Sequence, residues 1–250
     1  MRLKSIIKYN INNVKSAILI YYSIFITIGL ALILLAKNSD GSITSSGVEM
    51  TSVIFIFITG LNFFKENFYF MKSSNVTRKE FLYGTAISMI PIVLIMSIID
   101  IIINRIYNIF VVSPTNYDMI YTSLRSENWF SNNNWVQSNS IETLFNTFIF
   151  QAAVYLAFFS LGFLVTIIYY KCNKLMKVVV SILPIALIMI LNIIGEAYPS
   201  LINKANNIIT TILGWDSQNS YMAVLTFSLV YIILIIISRL LTKKAIIKQV

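Results

Sequence analysis

Residues 83–103 read YGTAISMIPIVLIMSIIDIII. These 21 positions hold no lysine or arginine, and their one acid, Asp100, stands near the far end. Coiled as an α-helix at 1.5 Å per residue, the stretch is about 31 Å long, which matches a hydrocarbon layer of about 30 Å. Five further windows have the same character: roughly 16–36, 48–64, 145–170, 178–197 and 221–241. The second is the shortest and carries Glu49 near one end. Between their polar ends none holds a lysine or arginine, as expected when a cation at mid-bilayer costs at least about 2.5 kcal/mol. The whole chain agrees: it is 57% hydrophobic and 12% charged, with mean hydropathy +0.78. A soluble domain of 250 residues needs more polar surface than this. The expectation is an all-α polytopic membrane protein with six transmembrane helices in one membrane domain, residues 1–250.

The charges set an orientation. Arg2, Lys4, Lys8 and Lys15 precede the first window; Lys65, Lys72, Arg78 and Lys79 lie between the second and third. Lys171, Lys174 and Lys177 lie between the fourth and fifth, and Arg239, Lys243, Lys244 and Lys248 close the chain. These segments hold 15 of the 19 cations and only two acids, Glu66 and Glu80. The alternate segments hold Lys37, Arg105, Arg125 and Lys204 against the other eight acids. A basic excess marks the cytoplasmic side, which places both termini inside. The net charge of +9 is then a topology signal with an attraction to anionic lipids, and no nucleic-acid partner is implied. The apolar run 17–36 is too long for a signal-peptide core and reads as a retained helix. Cys172, the one cysteine, falls between the fourth and fifth windows on the reducing side.

Residues 3–18 carry Leu3, Ile7, Ile11, Val14 and Ile18 at helical spacing. They form either an interfacial amphipathic helix that precedes a turn into the membrane, or an ordinary basic flank of the first span. The segment 104–144, with Pro114, Trp129, Trp135 and the asparagines 132–134, is the longest polar connection, either a packed cap or an open loop. The segment 198–220 is too short to cross and reads as a re-entrant or interfacial helix ending near Gly214. Pro91 and Pro184 fall inside the third and fifth windows, where each removes a helical hydrogen bond.

The connection between the second and third windows is the most defined polar stretch: FFKENFYFMKSSNVTRKEFLYG, residues 63–84. Thr77 and Glu80 have the spacing of a capping box, with Val76 and Phe81 placed as a hydrophobic staple. A helix therefore starts at Arg78, and the KSSN stretch at 72–75 breaks the one before it. With Phe64 and Glu66, this polar break, then TRKEF and Gly84, the stretch resembles the second-to-third connection of permease subunits of type-two ATP-binding-cassette exporters. The interfacial segments before the first and last spans are similar to that family too. The resemblance implies a six-span permease in a bacterial cell membrane, paired with a second permease copy or a homologous one. It also implies a separate cytoplasmic ATPase that carries the ATP and Mg, so that this chain holds no cofactor. The coupling contact then falls on Phe64, Glu66, Lys72, Thr77, Arg78, Lys79, Glu80 and Phe81. No G-x-x-x-x-G-K-[ST] phosphate loop occurs in the chain, in keeping with that division.

The chain has no histidine, which excludes Ser-His-Asp triads and most zinc sites. Carboxylate chemistry is left: Asp100, Asn104, Arg105 and Glu196 are candidate pathway or outer-leaflet polar residues, with Arg105 placed to neutralise Asp100. The alternative is that these acids mark helix ends. The expected function is a permease exporting an amphipathic peptide, a lipid-like molecule or a drug. A non-pumping immunity or sensor protein that binds a peptide is the second reading, and a carboxylate-based intramembrane enzyme the third.

Overall fold

The structure is a computed structural model that describes residues 2–38, 44–122, 124 and 135–243. These form eight α-helices: α1 (Arg2–Asn38), α2 (Met50–Ser73), α3 (Arg78–Tyr107), α4 (Asn116–Tyr121), α5 (Ile141–Lys171), α6 (Lys174–Ala197), α7 (Pro199–Ile212) and α8 (Ser220–Thr242). Among the described residues there is no β-strand, only an isolated parallel bridge between Thr44 and Val112. Five helices, α1, α3, α5, α6 and α8, are long and apolar enough to cross a membrane. In α2 the apolar part is shorter, Met50–Lys65. The protein is an all-α polytopic membrane protein.

The helices run between two ends that differ in charge. At the basic end lie the α2–α3 elbow, the start of α1, the α5–α6 corner with Cys172, and the end of α8. At the acidic end lie Glu49, α4 and the far ends of α1 and α3.

Helix α5 is the hub, packed against α2, α8, α3 and α4. Its buried positions include Ala152, Ala153, Ala157, Ser160 and Gly162, small residues that let neighbouring backbones approach. The closest approach is to α2: a Cβ on Gly162 would stand 2.3 Å from the Phe57 carbonyl oxygen, and one on Gly60 2.4 Å from the Phe159 carbonyl oxygen. The pair runs parallel in a constant register. Glu49 meets Gln151, 102 positions on, and Tyr69 meets Tyr170, 101 positions on.

Helices α1 and α3 form a second parallel pair. Asn10 bonds Ser88 and Tyr22 bonds Asp100, each 78 positions apart. At the same offset Ile6 sits where a Gly84 side chain would be, and Gly29 faces Tyr107. The register therefore holds for 23 residues, about 34 Å of helix.

This pairing decides between the two readings of the N-terminus. Helix α1 is one uninterrupted helix of 37 residues, not an interfacial helix followed by a turn, and no glycine or proline precedes Gly29 to break it. Its buried seam is Ile6, Asn10, Val14 and Tyr22, whereas Leu3 is exposed and Ile7 and Ile11 are half-buried. The seam faces α3 and is rotated from the apolar stripe read in the sequence, because Asn10 has a buried partner in Ser88.

Helix α7 spans 14 residues, about 21 Å. It ends as expected: Gly214 takes φ +65°, and the Trp215 amide donates to the Thr210 carbonyl at 2.8 Å, a left-handed helix stop that favours glycine. Trp129 and the asparagines 132–134 lie outside the described residues.

The Gly60–Gly162 crossing gives a direct test. Gly162→Ala, which must push α2 away, is expected to cost about 1–3 kcal/mol, read as a lower melting temperature of the solubilised protein. Gly29→Ala, whose Cβ meets only a Tyr107 ring atom at 4.0 Å, is the control and leaves it unchanged or raised.

Candidate functional site

At the basic end α2 stops at Ser73, and Asn75 takes φ +57°, a left-handed position that asparagine tolerates. The Ser74 amide reaches the Phe70 carbonyl at 3.2 Å and the Val76 amide the Met71 carbonyl at 3.0 Å. Thr77 then caps α3. Its hydroxyl accepts from the Glu80 amide at 3.2 Å, and the Glu80 carboxylate accepts from the Thr77 amide at 3.0 Å. Both bonds of the capping box are present, and the helix starts at Arg78. The turn is four residues, Ser74 to Thr77.

The expected contact residues divide. Phe64 and Phe81 are 0% and 1% exposed; they belong to an aromatic box with Phe68, Phe163 and Tyr170, with ring centroids 4.9–5.9 Å apart along Phe64–Phe68, Phe64–Phe81, Phe64–Phe163 and Phe64–Tyr170. They hold the elbow from within and offer no surface. Thr77 and Lys79 are exposed, with Arg78 and Glu80 half-buried. Glu66 and Lys72 lie on α2, their side chains outside the described set.

Arg78 has a role that the sequence does not show. Its guanidinium donates to the Lys243 carbonyl at 2.6 Å, and Lys171 donates to the Leu241 carbonyl at 2.9 Å. Two cations thus meet carbonyls of the last described turn of α8, where positive charge is favoured. Arg239 donates to the Tyr83 hydroxyl at 2.6 Å and lies 5.3 Å from the centre of its ring. The elbow, the α5–α6 corner and the end of α8 are one tied assembly.

At the acidic end Asp100 is 3% exposed. It accepts from the Tyr22 hydroxyl at 2.9 Å and the Tyr155 hydroxyl at 2.5 Å, so it is a buried group on α3 held by α1 and α5. Arg105 does not stand beside it. Five positions along a helix turn a side chain by about 140° from its starting direction, and the acids within electrostatic reach of Arg105 are Asp118 and Glu49. Its three guanidinium nitrogens are buried and make no hydrogen bond among the described residues. Asn104, one turn from Asp100, donates to the Ser113 carbonyl at 3.1 Å and accepts from Gln137 at 2.8 Å; Gln137 also donates to Asp118 at 3.3 Å. Glu196 stands apart, exposed on α6, and is not brought to Asp100.

Glu49, noted in the sequence only as an acid near one end of the second window, belongs to the same end. It lies one residue ahead of α2, outside the apolar segment, and is 3% exposed. One carboxylate oxygen accepts from the Asn116 amide at 3.1 Å and from Gln151 at 3.2 Å; the other is buried with no hydrogen-bond partner among the described residues. No group of three or more His, Cys, Asp or Glu side chains converges to hold a metal among the described residues.

Between α1, α3 and the 46–51 segment lies a cavity of about 560 Å³. Its walls are apolar, from Phe25, Ile28 and Leu32 on one side and Ile103 and Tyr107 on the other. Glu49, Thr51, Asp100 and Asn104 supply the polar lining.

Comparison with protein families, with curated proteins and with solved structures finds no match to this chain.

Proposed function

We propose that this membrane protein is the permease subunit of a type-two ATP-binding-cassette exporter in a bacterial cell membrane. In this reading six helices cross the bilayer, both termini are cytoplasmic, and a separate ATPase, carrying ATP and Mg, docks at the basic end. The observation that carries the reading is the elbow: a four-residue turn with a complete capping box, an aromatic box beneath it, and Arg78 linking it to the end of α8. A passive connection needs none of these ties, whereas a lever must be stiff where force enters. Thr77 and Lys79 form its exposed face.

The mechanism is rigid-body coupling. Closure of the ATPases displaces the elbow, and α3 carries that displacement toward Asp100, 23 residues beyond Thr77. Pro91 stands between them, inside α3, where its missing amide lets the helix flex. The residues of α6 are largely exposed and none is buried, which leaves that helix free to face lipid or a second permease copy. The cargo is amphipathic: a peptide, a lipid-like molecule or a drug. A non-pumping peptide-binding immunity or sensor protein is the second reading, favoured by the cavity at the acidic end, which requires no motor.

The test is ATP hydrolysis in lipid nanodiscs by the permease together with the ATPase that co-purifies with it. Lys79→Glu is expected to weaken that association about tenfold, the scale of a contact worth about 1.4 kcal/mol. Arg78→Ala with Glu80→Ala is expected to uncouple hydrolysis from cargo while leaving membrane insertion intact. A chain that co-purifies with no nucleotide hydrolase, or variants that behave as the parent, contradicts the proposal. Orientation has its own readout. Cys172 is expected to react with a membrane-impermeant maleimide in inside-out vesicles and not in intact cells.

A further inference from the structure

At the basic end the start of α3 and the ends of α5 and α8 gather positive charge. Residues 74–83, 168–173 and 236–243 hold five cations, Arg78, Lys79, Lys171, Arg239 and Lys243, against one acid, Glu80. The Glu80 carboxylate is turned into its capping box, where it accepts from the Thr77 amide and hydroxyl. Arg78, Lys171 and Arg239 are bonded to the carbonyls of Lys243 and Leu241 and to the Tyr83 hydroxyl, none of which carries a charge. Tyr83 takes one N–H of the Arg239 guanidinium and leaves the others at an exposed position. Lys243 follows Arg239 by one helical turn, so both cations stand on one face of α8. Its side chain is exposed and makes no hydrogen bond among the described residues.

That face changes character within a turn. Ile236 and Ile232 precede Arg239 by three and seven positions on α8, and Ile87 and Ile90 follow Tyr83 by four and seven on α3. All four are exposed. At helical spacing they extend the Arg239–Tyr83 contact inward as an apolar track. The two helices run antiparallel there, with Arg78 at Lys243, Tyr83 at Arg239, and the Tyr231 hydroxyl donating to the Ala86 carbonyl at 2.9 Å. Cations at the head of an exposed apolar track mark the depth at which bilayer phosphates stand.

We propose that this α3–α8 seam binds one anionic phospholipid, its phosphate bridging Arg239 and Lys243 and its acyl chains lying along Ile87, Ile90, Ile232 and Ile236. A guanidinium fork matches two phosphate oxygens. A zwitterionic lipid would bring its own cation into a cluster that already has too many. A soluble phosphate would meet the cations and leave the track bare, and an uncharged lipid would cover the track and leave the cations repelling one another. The bound lipid joins the start of α3 to the end of α8. The inference does not rest on the ATPase reading, because lipid binding is a property of this chain alone.

The test uses the full chain in phosphatidylcholine nanodiscs doped with increasing phosphatidylglycerol, with native mass spectrometry counting the phosphatidylglycerol molecules that each chain keeps. The expected result is one molecule retained at fractions too low to coat the rest of the surface, with a melting temperature that rises as it binds. Lys243→Gln removes a side chain that holds nothing else in the fold, and it is expected to weaken retention about fivefold, the scale of one cation near an anionic lipid surface. Adding Arg239→Gln is expected to bring the loss to about thirtyfold. Lys4→Gln with Lys8→Gln takes the same charge from the start of α1, at the same end of the molecule, and is expected to leave retention unchanged. Phosphatidylglycerol held no better than phosphatidylcholine, or parental retention in Lys243→Gln and in the double variant, overturns the proposal. An equal loss in the α1 pair also overturns it, because the attraction would then belong to the overall charge. Displacement of the lipid by soluble glycerol phosphate does so too, since the occupant would then be a free phosphate.

Discussion

Helices α2 and α5 touch backbone to backbone at Gly60 and Gly162, and the rest of the bundle is arranged around that contact. In a membrane the hydrophobic effect does not drive helices together, so close packing and hydrogen bonds must. Two facing glycines bring the backbones closest, and their register fixes what lies on either side. One turn toward the basic end, Phe64 meets Phe163 and then Tyr170; toward the acidic end, Glu49 meets Gln151. A side chain at either glycine would loosen the aromatic box under the elbow and the carboxylate at the cavity together. The α1–α3 pair adds a second rod in register, with Ile6 seated over Gly84 near one end and Tyr22 bonded to Asp100 toward the other.

The two ends use polar groups differently. At the basic end cations complete an exposed helix terminus, and water remains to share the load. At the acidic end the groups are buried, and each takes a partner from another segment: Tyr22 and Tyr155 for Asp100, Gln151 for one Glu49 oxygen, Gln137 ahead of α5 for Asn104. Such a network is specific when complete and expensive where a partner is missing. Among the described residues the unmatched groups are Arg105 and one oxygen of Glu49. In the proposed pump α3 joins these ends, since it begins at the capped elbow and carries Asp100 and Asn104.

The membrane class and the elbow were legible in the sequence because both rest on local rules. Apolar stretches free of cations identify spanning helices, and the Thr77–Glu80 spacing defines a cap within four residues. The stop at Gly214 is local in the same way. Helix pairing is not local. Sequence neighbours alternate in direction, so nothing in the connections announces that α1 lies along α3, or α2 along α5, in parallel. The seam on α1 was misjudged for that reason: Asn10 counts as polar by type, yet it is buried against Ser88. Arg105 was assigned to Asp100 by closeness in sequence, although five positions carry it to another face. Tyr22 and Tyr155 carried no signal at all. Glu49 carried a faint one, an acid at the edge of an otherwise apolar window.

In the proposed pump force enters the chain at the elbow, and site-directed crosslinking measures that contact most directly. Ser74→Cys in a Cys172→Ser background, treated with a short bifunctional thiol reagent in native membranes, is predicted to trap a phosphate-loop ATPase, with nucleotide changing the yield. If the elbow cysteine captures no such protein while vesicles holding this chain alone move an amphipathic cargo without ATP, the account is contradicted.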